Sequence, residues 1–400
     1  MKRRLNDWLN GYLKYSENSE PPQSYHIWIG LGMIAGALQR RAYVKWGSTI
    51  IYPNLYVVLV GPSGKAKKGT ALNIGKPILK QASVKVIEGA ITPEKLTRRM
   101  GEALANITNG TTGKVEFQCA VTYVSDELSV FLGQNNLRLL ANLCDWYDCP
   151  ADWTYDTKGQ GTDKLEGICF NMIAATAPDW LPSILPKEAV GGGFTSRVVW
   201  VVEEDKGKTV VYPTIDEELQ KALVYDLQRI MLMSGEFQFS VEGRARYEEW
   251  YLAEDTENRR GNPVIKDPKL AGYCERRATL IKKLAMILSA SEDSSMIITD
   301  KHIDRGLDLL ARVEKKMARV FSGLGSGRYT YAMEMLLGFI VKHKKVSKSQ
   351  VLSLFFRDID DYTFDVITKT LIGMKVIYIE NDLINNEVYL SLRGDNRLGF

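Results

Sequence analysis

The chain reads as an α/β protein: a parallel sheet flanked by helices, then a helical region, then a small C-terminal unit of three helices and a hairpin. Three observations predict this. The run Leu55-Tyr-Val-Val-Leu-Val-Gly-Pro-Ser-Gly-Lys-Ala-Lys-Lys-Gly-Thr-Ala-Leu72 passes from β-formers through a glycine- and lysine-rich loop into helix formers. From Ile51 to about Glu204, apolar strands alternate with helical stretches, the pattern of parallel strands and their crossovers. Beyond the flexible linker Ser322-Gly-Leu-Gly-Ser-Gly327, the periodicity restarts as a separate small domain.

In chain order, residues 1–50 form a helical region broken at Glu20-Pro21-Pro22 and ending in Arg40, Arg41 and Lys45, a prefix to the sheet domain. The apolar run Ile27 to Leu38 is too short to span a bilayer and ends at Gln39-Arg40-Arg41, so it reads as a core helix and no membrane partner is expected. Residues 51–205 carry the sheet. Residues 206–321 turn helical, from Glu217-Glu-Leu-Gln-Lys-Ala-Leu through Tyr273 to Ala290 and Asp300 to Leu310, and predict an all-helical lid. In residues 328–400 a helix from Tyr329 to about His343, a second capped by Ser347 and a third from Asp361 to Met374 precede two β segments around Asn381 to Asn386. That order predicts a winged helix. Its third helix carries Asp361 and Asp365 against Lys369 alone, poor chemistry for phosphates, so docking of DNA and docking of protein both stay open.

Four hundred residues with 45% hydrophobic and 25% charged content describe an ordinary globular chain of two or three domains. With 52 basic and 48 acidic residues, no global field advertises nucleic acid, and any such contact must come from local patches. Cys119, Cys144, Cys149, Cys169 and Cys274 show no C-x-x-C spacing and His26, His302 and His343 lie far apart, which argues against a zinc site. The odd cysteine count suits a reducing cytoplasm.

The loop Gly61-Pro62-Ser63-Gly64-Lys65-Ala66-Lys67-Lys68-Gly69-Thr70 predicts a nucleoside triphosphate site. Backbone N–H groups curl around phosphate, the following helix aims its positive end at it, and a lysine neutralises β/γ charge. Two registers stand open. Counted from Gly61 in the pattern G-x-x-x-x-G-K-[ST], the lysine is Lys67, Ala66 replaces the second glycine, and Lys68 stands where a hydroxyl would ligate Mg²⁺. Read from the right, Lys68-Gly69-Thr70 ends a loop one residue longer, with Thr70 as the hydroxyl. The plainer alternative is a glycine-rich turn.

Further candidates follow in order. Ala120-Val-Thr-Tyr-Val-Ser-Asp-Glu127 is an apolar strand ending in two carboxylates, suited to Asp126 holding Mg²⁺ and Glu127 orienting a water; the alternative is a solvated turn. Gly167-Ile-Cys-Phe-Asn-Met-Ile-Ala-Ala-Thr-Ala-Pro178 sets Thr176 at a strand end near the γ-phosphate, or as a helix cap, with Asn171 structural. In Gly191-Gly-Gly-Phe-Thr-Ser-Arg-Val-Val-Trp, Arg197 opens a strand and suits a finger reaching a neighbouring subunit's γ-phosphate, or else a structural ion pair. Tyr273-Cys-Glu-Arg-Arg-Ala sets Arg276 or Arg277 at the start of a lid helix facing the nucleotide, or on an exposed basic turn.

This sequence of motifs resembles the P-loop AAA+ ATPase core of MCM-type replicative helicases and, more closely, of phage and mobile-element replication proteins, over roughly residues 25–315. A winged helix after the lid recurs in MCM-like proteins. The resemblance implies a ring, commonly a hexamer, with ATP and Mg²⁺ bound between subunits. Lys67 or Lys68 would be the phosphate-loop lysine and Asp126 with Glu127 the Mg²⁺ and water pair. Thr176 would be a first sensor, where MCM proteins usually carry asparagine, Arg197 a trans-acting finger and Arg276 or Arg277 a second sensor. Trp153-Thr-Tyr-Asp-Thr-Lys-Gly-Gln-Gly-Thr-Asp-Lys-Leu-Glu166 lies where such helicases carry a pore hairpin, so Lys158 and Lys164 are expected to touch the nucleic-acid backbone. The expected activity is ATP-driven helicase or translocase action on single-stranded or forked DNA, alongside other replication proteins. An AAA+ loader or origin-binding switch without unwinding, and a small-molecule kinase suggested by Lys68-Gly69-Thr70, are the competing readings.

Overall fold

The computed structural model describes residues 2–133, 136–157, 161–186, 192–321, 329–356, 358–382 and 387–393. Six strands form its central sheet: β1 (Tyr56–Val60), β2 (Val86–Glu88), β3 (Leu104–Thr108), β4 (Val115–Ser125), β5 (Ile168–Thr176) and β6 (Val198–Val202). The order is β6-β1-β5-β4-β2, all parallel, and β3 pairs antiparallel with the first half of β4. Every residue of β1, β5 and β6 is buried. Strands covered on both faces need apolar side chains at successive positions, which is why these segments read as unbroken hydrophobic runs.

Register aligns the carboxyl ends of the strands. Val60 lies opposite both Thr176 and Val202, and Ser125 opposite Ala174. The residues that follow those strand ends, Gly61, Ala177, Glu203 and Asp126, therefore gather along one edge, the edge at which open parallel sheets bind ligands.

The first fifty residues are part of this core. Helix α1 (Trp8–Tyr15) leads into α2 (Gln23–Leu38), which is buried almost all round. A Cβ at Gly36 would meet Thr122 Oγ1 at 2.3 Å and one at Gly32 would meet Ile173 at 2.8 Å, so glycines let the α2 backbone lie directly on β4 and β5. Asn171 fastens that contact: its amide donates to the Gly32 carbonyl at 2.9 Å and its oxygen accepts from Leu55 N–H at 2.9 Å. Arg40 and Arg41 turn inward onto the carbonyls of Ile168 and Met231, and Lys45 pairs with Glu236.

Helices Glu217–Ile230, Val241–Arg259, Ala271–Glu292 and Asp300–Met317 follow the sheet. The third of these is buried nearly continuously from Leu280 to Ser291, and its Lys283 donates to the carbonyl oxygen of Asn54 at 3.1 Å. Asp226 accepts from Arg4 and Leu5 N–H at 2.9 and 2.8 Å, and Arg305 pairs with Asp7 at 2.6 Å. Residues 1–321 thus make one compact unit, in which the expected lid is packed against the expected prefix.

Residues 322–400 make a second unit. It holds helices Thr330–His343, Lys348–Leu354 and Asp361–Gly373 and a three-stranded antiparallel sheet of Lys345–Ser347, Glu387–Leu392 and Ile377–Asp382. Ser347 caps the second helix in a reciprocal capping box with Gln350. Leu336, Ile340, Phe364, Ile367, Leu371 and Leu390 fill its core. No helix among the described residues is long and apolar enough to cross a membrane.

His26, in the first turn of α2, is buried against the Tyr12 ring of α1 with Nε2 3.1 Å from Ser19 Oγ. Burial lowers its pKa to about 4. A histidine held neutral in the fold, with its folded value below the unfolded one, contributes stability above the unfolded pKa that is lost as pH falls toward the folded one. We therefore expect the native chain to lose on the order of 3 kcal/mol more than His26→Gln between pH 6.5 and 4 in urea melts, the sum of about 2.5 pKa units. Parallel pH profiles for the two proteins would refute it.

Candidate nucleotide site

The loop after β1 is shaped by its glycines and by one lysine. A Cβ at Gly61 would sit 2.4 Å from the Glu203 carbonyl and 2.6 Å from Tyr25 Oη, so only glycine passes between the loop after β6 and α2. Gly64 adopts φ 70° and Lys67 φ 56°, the left-handed region in which a non-glycine residue is unusual. Lys67 is the N-cap of α3 (Lys68–Gln81), which places Lys68 in the first turn. The Lys68 side chain folds back into the loop, donating to the Gly61 carbonyl and to the Pro62 carbonyl at 3.2 Å. Lys67 points elsewhere, pairing with Glu20 at 3.3 Å, and Lys65 pairs with Asp205 at 3.2 Å. Ser63, Gly64 and Lys65 are exposed at the tip while Ala66 is buried. Of the two candidate lysines, the geometry puts Lys68 inside the loop.

Glu127 and Thr176 join Lys68 at this edge. Thr176 is fully buried and donates its hydroxyl to Glu127 Oε1 at 2.9 Å, while its carbonyl accepts from Gly61 N–H at 3.3 Å. Glu127 is half-buried and caps the short helix Leu128–Leu132, which fixes its carboxylate from the backbone side. Burial pushes the Lys68 ammonium below its usual pKa and the Glu127 carboxylate pulls it back. An ammonium, a hydrogen-bonded carboxylate and a hydroxyl thus meet beside the loop, groups of the kind that phosphate binding and water activation use.

Asp126, at the same strand edge, is held by a different ammonium. Both of its oxygens accept from Lys76 Nζ, at 2.9 and 2.8 Å. Gly69, without a side chain, follows Lys68, and Thr70 is exposed in the first turn of α3. Asp126, expected to hold Mg²⁺ with Thr70, is thus engaged by an ammonium in this structure.

The arginines lie elsewhere. Arg197 precedes β6, and Val198 pairs with Tyr56 at the start of β1, so Arg197 sits at the opposite edge of the sheet from Gly61, about 16 Å along five residues of strand. It donates to Asp148 Oδ2 and to the Gly193 carbonyl, both at 2.8 Å, and Arg276 approaches Asp148 Oδ1 at 3.8 Å. Arg277 is buried against Glu314, at 2.7 Å, and Glu254, tying Ala271–Glu292 to its two neighbouring helices. Burial works against its charge, but the two carboxylates outweigh it and hold its pKa up. The structure does not bring Arg276 or Arg277 to the loop of the same chain.

The hairpin is present as Asp152–Thr157 paired with Gly161–Glu166. Lys164 is exposed, opposite Thr154, and Lys158 lies outside the described residues. Sequence reasoning missed Lys76, Asp148 and Glu20. Lys76 carried a signal, since it stands two helical turns beyond Lys68; Asp148 and Glu20 carried none, because their partners come from distant segments. The chain matches no protein-family model, and no curated protein matches it either.

Replacing Arg277 with Met leaves Glu314 buried without its charge partner and is expected to cost about 3–5 kcal/mol in urea unfolding. A loss below about 1 kcal/mol would contradict a structural role for this arginine.

Proposed function

We propose that this chain is an AAA+-type ATPase that works as a ring, with ATP bound at the loop after β1 and hydrolysis spent on moving DNA in phage or mobile-element replication. The observation that carries the proposal is the meeting of Lys68, Glu127 and Thr176 at the carboxyl edge of a parallel sheet, beside a loop that only Gly61 lets close. Lys68 takes up charge on the β/γ-phosphates. Glu127, oriented by the Thr176 hydroxyl and the helix backbone, holds the attacking water and accepts its proton as the water oxygen attacks the γ-phosphorus in line and ADP leaves.

This chain's own Arg197 lies across the sheet from its loop, so an arginine for the γ-phosphate would come from a neighbouring copy, with Arg276 beside it on Asp148, and this supports an assembly in which sites lie between copies, commonly a hexamer. Lys164 on the Asp152–Glu166 hairpin offers a backbone contact to single-stranded or forked DNA, and the C-terminal unit, read as a winged helix, offers a docking surface for DNA or another replication protein. A second reading, an ATP-dependent loader or origin-binding switch without unwinding, is favoured by the pairing of Asp126 with Lys76, which is more readily reconciled with binding than with fast turnover.

Hydrolysis of ATP by the purified chain, with and without single-stranded DNA, separates these readings. The motor reading expects DNA-stimulated turnover that falls at least 100-fold in Glu127→Gln and by about 10³ in Arg197→Ala with ATP binding retained. Binding without turnover in either condition selects the switch. Lys68→Met is expected to abolish ATP binding where Lys67→Met changes it only a few-fold; the reverse order would overturn the assignment of the loop lysine.

A further inference from the structure

Helix α3 brings a second ammonium to the nucleotide edge. Lys76 stands eight residues beyond Lys68 on α3 and its head meets Asp126, the residue after the strand end at Ser125, which puts this ammonium at the carboxyl edge of the sheet. Its stem is packed, with the side chain 15% exposed, whereas Asp126, which it meets, is 56% exposed. Packing therefore fixes the lysine and the lysine fixes the carboxylate. One ammonium contacts both Asp126 oxygens, at 2.9 and 2.8 Å, the chelation that a divalent ion would otherwise make from that carboxylate.

The loop is changed to match. The motif that binds Mg²⁺-nucleotides places a hydroxyl directly after its lysine, and here Gly69 holds that position. Of the lysines in this stretch, Lys65 and Lys67 are held by Asp205 and Glu20, which leaves Lys68 and Lys76 as the ammonium groups of this edge. Free ATP bears about two more negative charges than its Mg²⁺ complex, and these two ammonium groups are what faces them.

Resting on the nucleotide reading above, we infer that Lys76 takes the place of the divalent cation on Asp126, so that the site binds the triphosphate as the free polyanion. Lys68 and the loop N–H groups hold the phosphates, and the Lys76 ammonium bridges Asp126 to them. The distinctive consequence is that divalent dependence is created, not lost, when the lysine is removed: Lys76→Met frees a carboxylate at the mouth of the site.

The test is calorimetric titration of the full chain with ATP, in excess EDTA and in excess Mg²⁺, for the native protein, Lys76→Met and Asp126→Asn, each checked for native circular dichroism. The native chain is expected to bind ATP within threefold in the two conditions. Lys76→Met is expected to lose at least tenfold in EDTA and to recover most of it in Mg²⁺, and Asp126→Asn to stay indifferent to Mg²⁺. A native affinity that drops tenfold or more in EDTA, or a Lys76→Met affinity unchanged in EDTA, overturns the inference while leaving a nucleotide site. Absence of ATP binding by the native chain in both conditions overturns the nucleotide reading itself.

Discussion

The burial of β1 between β5 and β6 is the constraint on which the rest of this molecule depends. A parallel strand covered on both faces must find all of its backbone partners in its neighbours and all of its side-chain partners in helices above and below. Once β1 is held this way, the residue after Val60 has a fixed position and direction, and Gly61 N–H is taken by the Thr176 carbonyl. The loop therefore inherits its place from the sheet. The same register that seats it brings Thr176 and, through Ser125, the Asp126-Glu127 pair to its side.

Buried polar groups then join the layers. Asn171 links β5, β1 and α2 with one side chain, and Lys283 reaches from a late helix to the Asn54 carbonyl just before β1. Arg277 with Glu314 and Glu254 locks three helices together. Each such group is costly if its partner is missing and well served only in one arrangement, so these links act on specificity of packing as much as on stability. They also explain why the helical segments before and after the sheet belong to one compact unit. Full burial pushes the pKa of Lys283 down to about 8.

Charges at the two edges of the sheet are used differently. At the loop edge, lysines are paired by Glu20, Asp205 and Asp126 while Lys68 is left to the backbone carbonyls. At the other edge, Asp148 gathers Arg197 and Arg276. A single copy separates the loop lysines from these arginines by the length of the strands.

The sequence by itself determined the parallel α/β core, the strand ends at Val60, Ser125 and Thr176, the capped helix at Ser347 and the loop at Gly61, because unbroken apolar runs, glycines at close approaches and local capping residues all act over a few neighbours. It left Lys67 and Lys68 undecided, and only the left-handed turn at Lys67, with the fold-back of Lys68, separated them. The tertiary structure alone decided that residues 1–50 cover the sheet instead of preceding it, that Arg277 is spent inside the helical region, and that Asp126 belongs to Lys76. Those outcomes depend on pairs far apart in the chain, where charge and size are visible in the sequence but the partner is not.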